Sequence, residues 1–327
     1  MTSSTLNPGI FDSIAPDMAA VNSLIIQEIA SPIPLIQEIA QHLIKSGGKR
    51  LRPMVVLLSA RALDCNEPTE VHELAVILEF IHSATLLHDD VIDESTQRRG
   101  QATANAIWDN SAAVLVGDFL YSRAFQILAR RSNIPVMKVL ADATNRLSEA
   151  EVLQLSFTNN PDITEQNYFD VIDGKTAQLY AAAAQVGAMV AADDAEKQMA
   201  LRNFGWHLGM AFQIIDDVLD YSAKQDKLGK NLGDDLAEGK TTLPLIYALK
   251  NANLTQQKII RDAIINSDQS QFSEIIGILN ETKALELSAQ TAYRFAQKAQ
   301  KDLSIIQDSP YKTALLELTG FVLNRDY

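Results

Sequence analysis

The sequence predicts an all-α fold, and three observations carry that expectation. Apolar residues recur at three- and four-residue intervals through most of the chain, while alternating apolar and polar runs, the mark of half-buried strands, are absent. Glycine and proline are sparse, at 14 and 10 in 327 residues, so little interrupts long helices. A hydrophobic content of 47% supplies the apolar surface that a large packed core requires.

The elements follow in order. Residues 1–12 read as disordered and 13–327 as a single helical domain. From Ser13 to Leu43, Ile25, Ile29, Ile36, Ile39 and Leu43 keep helical spacing, and Ser31-Pro32 divides the stretch into two helices. Lys45-Ser-Gly-Gly-Lys-Arg-Leu-Arg-Pro53 comes next. It is either a glycine-capped helix end with a basic last turn or an anion site, since Lys49, Arg50 and Arg52 flank a freed backbone. Helices are expected over 54–63 and 69–92, then a charged loop over 93–103. Further helices are expected over 104–131, 135–157, 164–191 and 195–221. A polar loop with Gly229, Gly233 and Gly239 spans 222–239, and helices over 241–250, 254–267, 271–280, 282–306 and 310–324 complete the chain.

Charge and cysteine content narrow the function. Lys plus Arg is 28 and Asp plus Glu is 41, a formal net charge of -13. No basic patch offsets that excess, so a nucleic-acid partner is not expected. Cys65 is the only cysteine, which excludes an internal disulfide and a multi-thiolate metal site. The N-terminal stretch lacks a basic region followed by an apolar core, and no apolar run reaches about 18 residues, Leu179–Ala192 being the best candidate. A cytoplasmic protein is the expectation.

The chemistry concentrates in IHSATLLHDDVIDESTQRRG, residues 81–100. Asp89, Asp90 and Asp93 crowd the end of an apolar helix. At 3.6 residues per turn, Asp89 and Asp93 lie about 40° apart and Asp90 about 100° round. Like charges so close weaken a helix, and a solvated face gains nothing from three acids there. The pattern recurs at Asp216, Asp217 and Asp220, where DDVLD differs from DDVID at one residue. Each copy follows an apolar run and precedes Lys or Arg. Aspartate clusters without Cys or paired His favour a hard cation with oxygen ligands, and Mg²⁺ suits them because it bridges a few carboxylates to phosphate groups. Two facing clusters beside an apolar helical core point to ionisation or transfer of an apolar diphosphate.

The chain resembles the trans-isoprenyl diphosphate synthases over nearly its whole length. The matching pieces are GGKRLRP (47–53), FIHSATLLHDDVIDES with RRG (80–100), GKT (174–176), FQIIDDVLD (212–220) and KNLGDDLAEGKTTLP (230–244). The resemblance implies an all-α bundle of the isoprenoid synthase type with a deep central cavity, a homodimer, and Mg²⁺. It implies head-to-tail condensation of isopentenyl diphosphate onto an allylic diphosphate such as farnesyl diphosphate, giving a long all-trans product, with octaprenyl (C40) for a quinone side chain the expectation. Asp89, Asp90, Asp93, Asp216, Asp217 and Asp220 then hold metal. Arg98, Lys175, Gln213, Lys230 and Lys240 resemble contacts to the allylic diphosphate. Lys49, Arg52, His82 and Arg99 resemble the isopentenyl diphosphate site, and Thr176 the polar group near the reacting carbons. Ala84 and Thr85, one turn before Asp89, stand where product length is set. Ala150 departs from the glycine expected before Glu151, and Asp234, Asp235 and Arg325 receive no role. Transient membrane contact for product release is also implied.

Three other classes compete. A class I terpene cyclase shares the ionisation but needs no second diphosphate site, against which GGKRLRP, His82 and Arg99 argue. A non-catalytic subunit of a heteromeric synthase would lack intact acidic clusters. A di-iron bundle needs inward Glu and Glu-x-x-His pairs that the sequence does not supply at matching sites.

Overall fold

The structure, a computed structural model, describes residues 12–65, 68–131, 133–222 and 233–324. The disorder expected for residues 1–12 falls outside these residues except at Asp12, which is helical, and the contact expected at Lys230 also lies outside them, as does Arg325. Helix α1 (Ala15–Glu28) and α2 (Pro34–Lys45) flank the break at Ser31-Pro32, and each has proline in its first turn, where the missing N–H costs nothing. Helix α3 (Leu51–Arg61) starts before Met54, because Pro53 fits inside a first turn.

Helix α4 (Pro68–Ile92) is the central element. Its residues Leu74–Ile81 are all buried, so it is apolar around its whole circumference and packs on α1, α3, α6 and α9. The stretch expected as one helix over 104–131 is two, α5 (Ala104–Ile107) and α6 (Asn110–Arg131). Asp109 explains the break, since its carboxylate accepts the Ala112 N–H at 2.7 Å and starts a new helix. Among the described residues, α6 rather than Leu179–Ala192 has the length and composition to cross a membrane.

Helix α7 (Ile134–Ser156) is capped by Asn133, and α8 (Glu165–Ile172) by a box between Thr164 and Asn167. The expected helix over 164–191 is continuous but irregular. A π-helical turn, Asp173–Ala177, joins α8 to α9 (Gln178–Ala191). Helix α10 (Ala195–Asp220) lies along α9, and a Cβ on Gly205 would sit 2.3 Å from the Tyr180 carbonyl oxygen, so only glycine allows that approach. The 222–239 loop contains a short helix, α11 (Asp234–Ala237). Helices α12 (Leu243–Asn251), α13 (Leu254–Asn266), α14 (Phe272–Glu281), α15 (Ala284–Asp302) and α16 (Pro310–Leu323) follow.

The main core gathers α1 to α4, α6, α7, α9, α10, α15 and α16. A smaller cluster around Leu245, Ile260, Ile264, Ile275 and Leu279 lies under α12 to α14. The loop over 93–103 holds a feature the sequence did not announce, a two-residue antiparallel ladder pairing Gln97 with Ala102 and Arg98 with Gln101. Arg99 and Gly100 both have positive φ, as a two-residue hairpin turn requires.

Helix α1 is fastened by charge as well as by apolar contact. The nearly buried Asp17 carboxylate accepts two bonds from Arg61 of α3, at 3.0 and 2.7 Å, and faces His72 of α4 at 2.8 Å. Burial pushes the Asp17 carboxyl up, but the bonds from Arg61 and His72 outweigh it and hold it below the ordinary carboxylate range. A depressed folded-state pKa stabilises above the unfolded value of about 3.9 and loses that contribution as pH falls through the folded value. Asp17→Asn should therefore cost about 1–3 kcal/mol in urea unfolding at pH 7. The gap to the wild type should narrow when the same measurement is made below about pH 4.

Candidate active site

The C-terminal ends of α4 and α10 line one cavity of about 350 Å³. Asp89 and Asp93 face it from α4, and Asp216, Asp217 and Asp220 from α10. Asp234, Asp235 and Glu238 close it from α11 and its flank, and Glu151 from α7. These nine carboxylates meet five cationic side chains, Arg52, Arg98, Arg99, Lys175 and Lys240, with His82, Thr85, Thr176 and Gln213 between them. Leu86, Phe212 and Leu219 supply an apolar wall.

Asp90 stands apart from its neighbours. It is absent from the cavity lining, nearly fully buried, and its Oδ1 accepts Arg98 Nε at 2.9 Å and Arg98 Nη2 at 2.8 Å. Burial raises its pKa, opposed by Arg98. The 100° offset of Asp90 from Asp89 accounts for this, turning it from the cavity toward the hairpin. In the structure it anchors Arg98.

Each remaining acid is engaged. Lys240 Nζ lies 3.0 Å from Asp93 and also bonds Glu238. Burial pushes Glu238 up to about 7 despite Lys240. Burial alone would pull Lys240 down, but Glu238, Asp93 and Asp235 outweigh it and keep the ammonium charged. Lys175 Nζ donates to Glu151 at 2.6 Å and to Gln154 at 2.9 Å, and approaches Asp89 at 3.7 Å. Burial, then Asp89, raises the Glu151 pKa. Asp217 accepts the Tyr168 hydroxyl at 2.6 Å and the Gln213 amide at 2.8 Å, and Gln213 accepts the Thr176 hydroxyl at 2.8 Å. Asp220 accepts the Asp235 N–H at 3.2 Å.

The basic segment divides its work. Arg52 lines the cavity with its guanidinium 4.6 Å from the Tyr180 ring, and its buried Nε has no hydrogen-bond partner among the described residues. Lys49 lies outside the lining, 4.5 Å over the Phe321 ring of α16. Arg50, in the left-handed region at the start of α3, pairs with the buried Glu79 of α4 and fixes the segment to the core. Arg99 bonds the Gly47 carbonyl, joining hairpin and segment. Burial and then Arg52, Arg99, Arg98 and Arg50 hold His82 well below its ordinary pKa, so its ring is neutral at pH 7. His88 lies against α6 with Nε2 3.2 Å from the Val114 carbonyl oxygen.

The carboxylates fit a hard divalent cation by donor chemistry and by their excess over cations. Among the described residues no three such side chains converge into a ready-made cage. The two clusters stand on separate walls, which suits cations that keep part of their water shell and bridge carboxylates to a polyanion.

Glu151, Gln154, Tyr168, Glu79 and Glu238 were not singled out from the sequence. Glu151 and Gln154 share a helical face three residues apart, a signal that existed. The Ala150 departure has a structural counterpart. A Cβ on Gly174 would lie 2.5 Å from the Ala150 Cβ and 2.8 Å from the Arg146 carbonyl oxygen, so the small residue sits on the facing strand of backbone instead. That approach brings Lys175 within reach of Glu151. Gly174→Ala should lower turnover roughly tenfold with helical content unchanged, since displacements of about 1 Å near a reacting centre are costly. Adding Ala150→Gly should restore only part of the loss in steady-state assays, because the Arg146 carbonyl remains.

Comparison with known proteins agrees with this geometry. The sequence model of the polyprenyl synthetase family matches residues 33–281. The chain is 45% identical over 313 residues to an octaprenyl diphosphate synthase of Haemophilus influenzae, covering 95% of each. It is 44% identical over 318 residues to an all-trans-nonaprenyl-diphosphate synthase (geranyl-diphosphate specific) of Rhodobacter capsulatus, covering 97% of each. A crystal structure of a polyprenyl synthase from Caulobacter crescentus, complexed with calcium and isoprenyl diphosphate, superposes with a TM-score of 0.95 at 38% identity over 100% of both chains. The chain thus belongs to the polyprenyl synthetase family and shares its all-α fold.

Proposed function

We propose that the chain is a Mg²⁺-dependent prenyltransferase that condenses isopentenyl diphosphate head-to-tail onto an allylic diphosphate, farnesyl diphosphate being the proposed primer. The observation that carries the reading is the pair of carboxylate-bearing helix ends, α4 and α10, on one cavity with five cations and an apolar wall. The calcium and isoprenyl diphosphate of the Caulobacter relative support a divalent cation beside a diphosphate. Asp89 and Asp93 on one wall and Asp216, Asp217 and Asp220 on the other would hold Mg²⁺, with Asp90 acting through Arg98. Bound there, the metal neutralises diphosphate charge and stabilises the leaving oxygen.

The chain's own residues supply the rest. Arg98, Lys175, Gln213 and Lys240 orient the allylic diphosphate, with Lys230 assigned by resemblance alone. Arg52, Arg99 and the neutral His82 hold isopentenyl diphosphate, with Lys49, outside the cavity lining, assigned by resemblance alone. As the C1–O bond of the allylic substrate breaks, the electron pair leaves with diphosphate and cation character builds at C1 beside Thr176. The double bond of isopentenyl diphosphate attacks C1, forming the new carbon–carbon bond. A proton is then lost from the adduct to an oxygen of the released diphosphate, and the double bond re-forms. Removal of water by the apolar wall protects the cation.

The reading extends to a homodimer in the cytoplasm that meets membranes to release product. The exposed Val114 and Leu115, adjacent apolar side chains on α6, support a partner surface. For product length we propose octaprenyl (C40) for a quinone side chain. The nonaprenyl relative, at almost equal identity, makes a one-unit-longer chain the second reading.

Asp89→Asn and Asp216→Asn should each lower kcat roughly 100-fold with circular dichroism unchanged. Tyr168→Phe, which strips a partner from Asp217, should raise the Mg²⁺ concentration for half-maximal activity roughly tenfold. Near-wild-type behaviour of all three in a radiolabelled isopentenyl diphosphate assay would remove the proposal. A terpene cyclase would incorporate no label.

Thr85 lines the cavity, whereas Ala84 is fully buried in the main core. One helical turn is about 5.4 Å, close to the roughly 5 Å that each isoprene unit adds. Thr85→Phe should therefore stop elongation early, at about C15–C20. Ala84→Phe should do the same if the growing tail parts the core there, and otherwise cost about 1–3 kcal/mol by overpacking with product length unchanged. Reversed-phase chromatography of the products decides, and a stable Thr85→Phe enzyme making full-length product would overturn the assignment.

A further inference from the structure

We propose that Asp173 is a positioning residue for the reaction, setting the angle at which Lys175 and Thr176 enter the cavity. The inference rests on the reading that these two side chains contact the allylic substrate. Residues Asp173–Ala177 form a π-helical turn between α8 and α9, closed by the Gln178 N–H donating to the Asp173 carbonyl. A π-turn inserts one residue into an α-helix, which rotates everything beyond it by about 100° relative to a regular helix. Lys175 and Thr176 lie inside that widened turn, and from it they reach Glu151 and Gln213 at 2.6 and 2.8 Å.

A π-turn is rare and persists only where its surroundings hold it. Here three helices converge on one carboxylate. Trp206 of α10 donates its indole N–H to Asp173 Oδ1 at 2.6 Å, and Gln178 of α9 donates to the same oxygen at 2.9 Å. Arg146 of α7 donates to Asp173 Oδ2 at 3.2 Å and to the Asp170 carbonyl at 3.1 Å, in the turn just before the irregularity. Trp206 is itself wedged edge-on against Phe295 and His207, with ring centroids 5.9 and 5.0 Å away. Asp173 is absent from the cavity lining and acts through its neighbours. The contacts explain why a charged residue occupies the first position of the turn, which no requirement of helix formation dictates.

The test is a double-mutant cycle in steady-state kinetics of the full-length enzyme. Asp173→Ala should lower kcat roughly tenfold or more with helical circular dichroism retained. In a Lys175→Ala background the same change should cost less than about threefold, because the residue it positions is already gone. Asp173→Asn keeps an acceptor for Trp206 and Gln178 and should recover most of the loss; if Asp173→Ala fails to fold, Trp206→Phe, which removes the shortest donor to Asp173, takes its place in the cycle with the same expected outcomes. An equal fold-loss from the Asp173 change in both backgrounds would show a merely structural role, and unchanged kcat in both Asp173 variants would also overturn the proposal. If Lys175→Ala alone turns over like the wild type, the substrate contact assigned to Lys175 is at fault, and the positioning role falls with it.

Discussion

Mutual repulsion among nine carboxylates in one cavity is the constraint to which the rest of the fold answers. Unpaired, such a group would spread apart or take up protons. Two devices hold it together. Half-buried cations, Lys240 between Asp93 and Glu238 and Lys175 between Asp89 and Glu151, neutralise part of the field. Long helices with deeply buried apolar faces fix the backbone from which the acids project, so the repulsion has no soft mode to relax along. The residual negative charge is an affinity for cations held in reserve.

The same design requires close helix packing. Gly205 against Tyr180 and Gly174 against Ala150 show where backbone contact replaces side-chain contact. Through these contacts α7, α9 and α10 pack as one rigid body, and the irregular turn at 173–177 presents Lys175 and Thr176 to the cavity. The hairpin at 97–102 adds a further wall, tied back by Arg98 to Asp90 and by Arg99 to the glycine segment.

Much of this was legible in the sequence because its signals are local. The spacing of Ile25, Ile29, Ile36 and Ile39 marks α1 and α2, and the doubled DDxxD patterns mark the cavity from both sides. What stayed hidden depends on contacts far apart in the chain. Nothing local marks Tyr168 as the partner of Asp217, 49 residues away, or Glu79 as the partner of Arg50. The contact that sets Asp90 apart from Asp89 and Asp93 stayed hidden for a similar reason. Their helical angles were computable, but the hairpin that claims Asp90 could not be placed beforehand. The π-turn escaped because a periodicity of 3.6 residues is too coarse to register one inserted residue over 28.

The chain of hydrogen bonds from Thr176 through Gln213 to Asp217 has a direction, and that direction is set from one end. Both Asp217 oxygens accept here, one from the Tyr168 hydroxyl and the other from the Gln213 amide nitrogen, so Gln213 turns its carbonyl toward Thr176. Thr176 then commits its single hydroxyl proton to that carbonyl. Any carbon that approaches the hydroxyl oxygen meets lone pairs and no proton. The oxygen can lend electron density to a positive centre, yet it has no hydrogen free to give away and little nucleophilic freedom to bond. A carboxylate two residues removed from the contact thereby fixes the electrical character of the surface that a short-lived carbocation would touch.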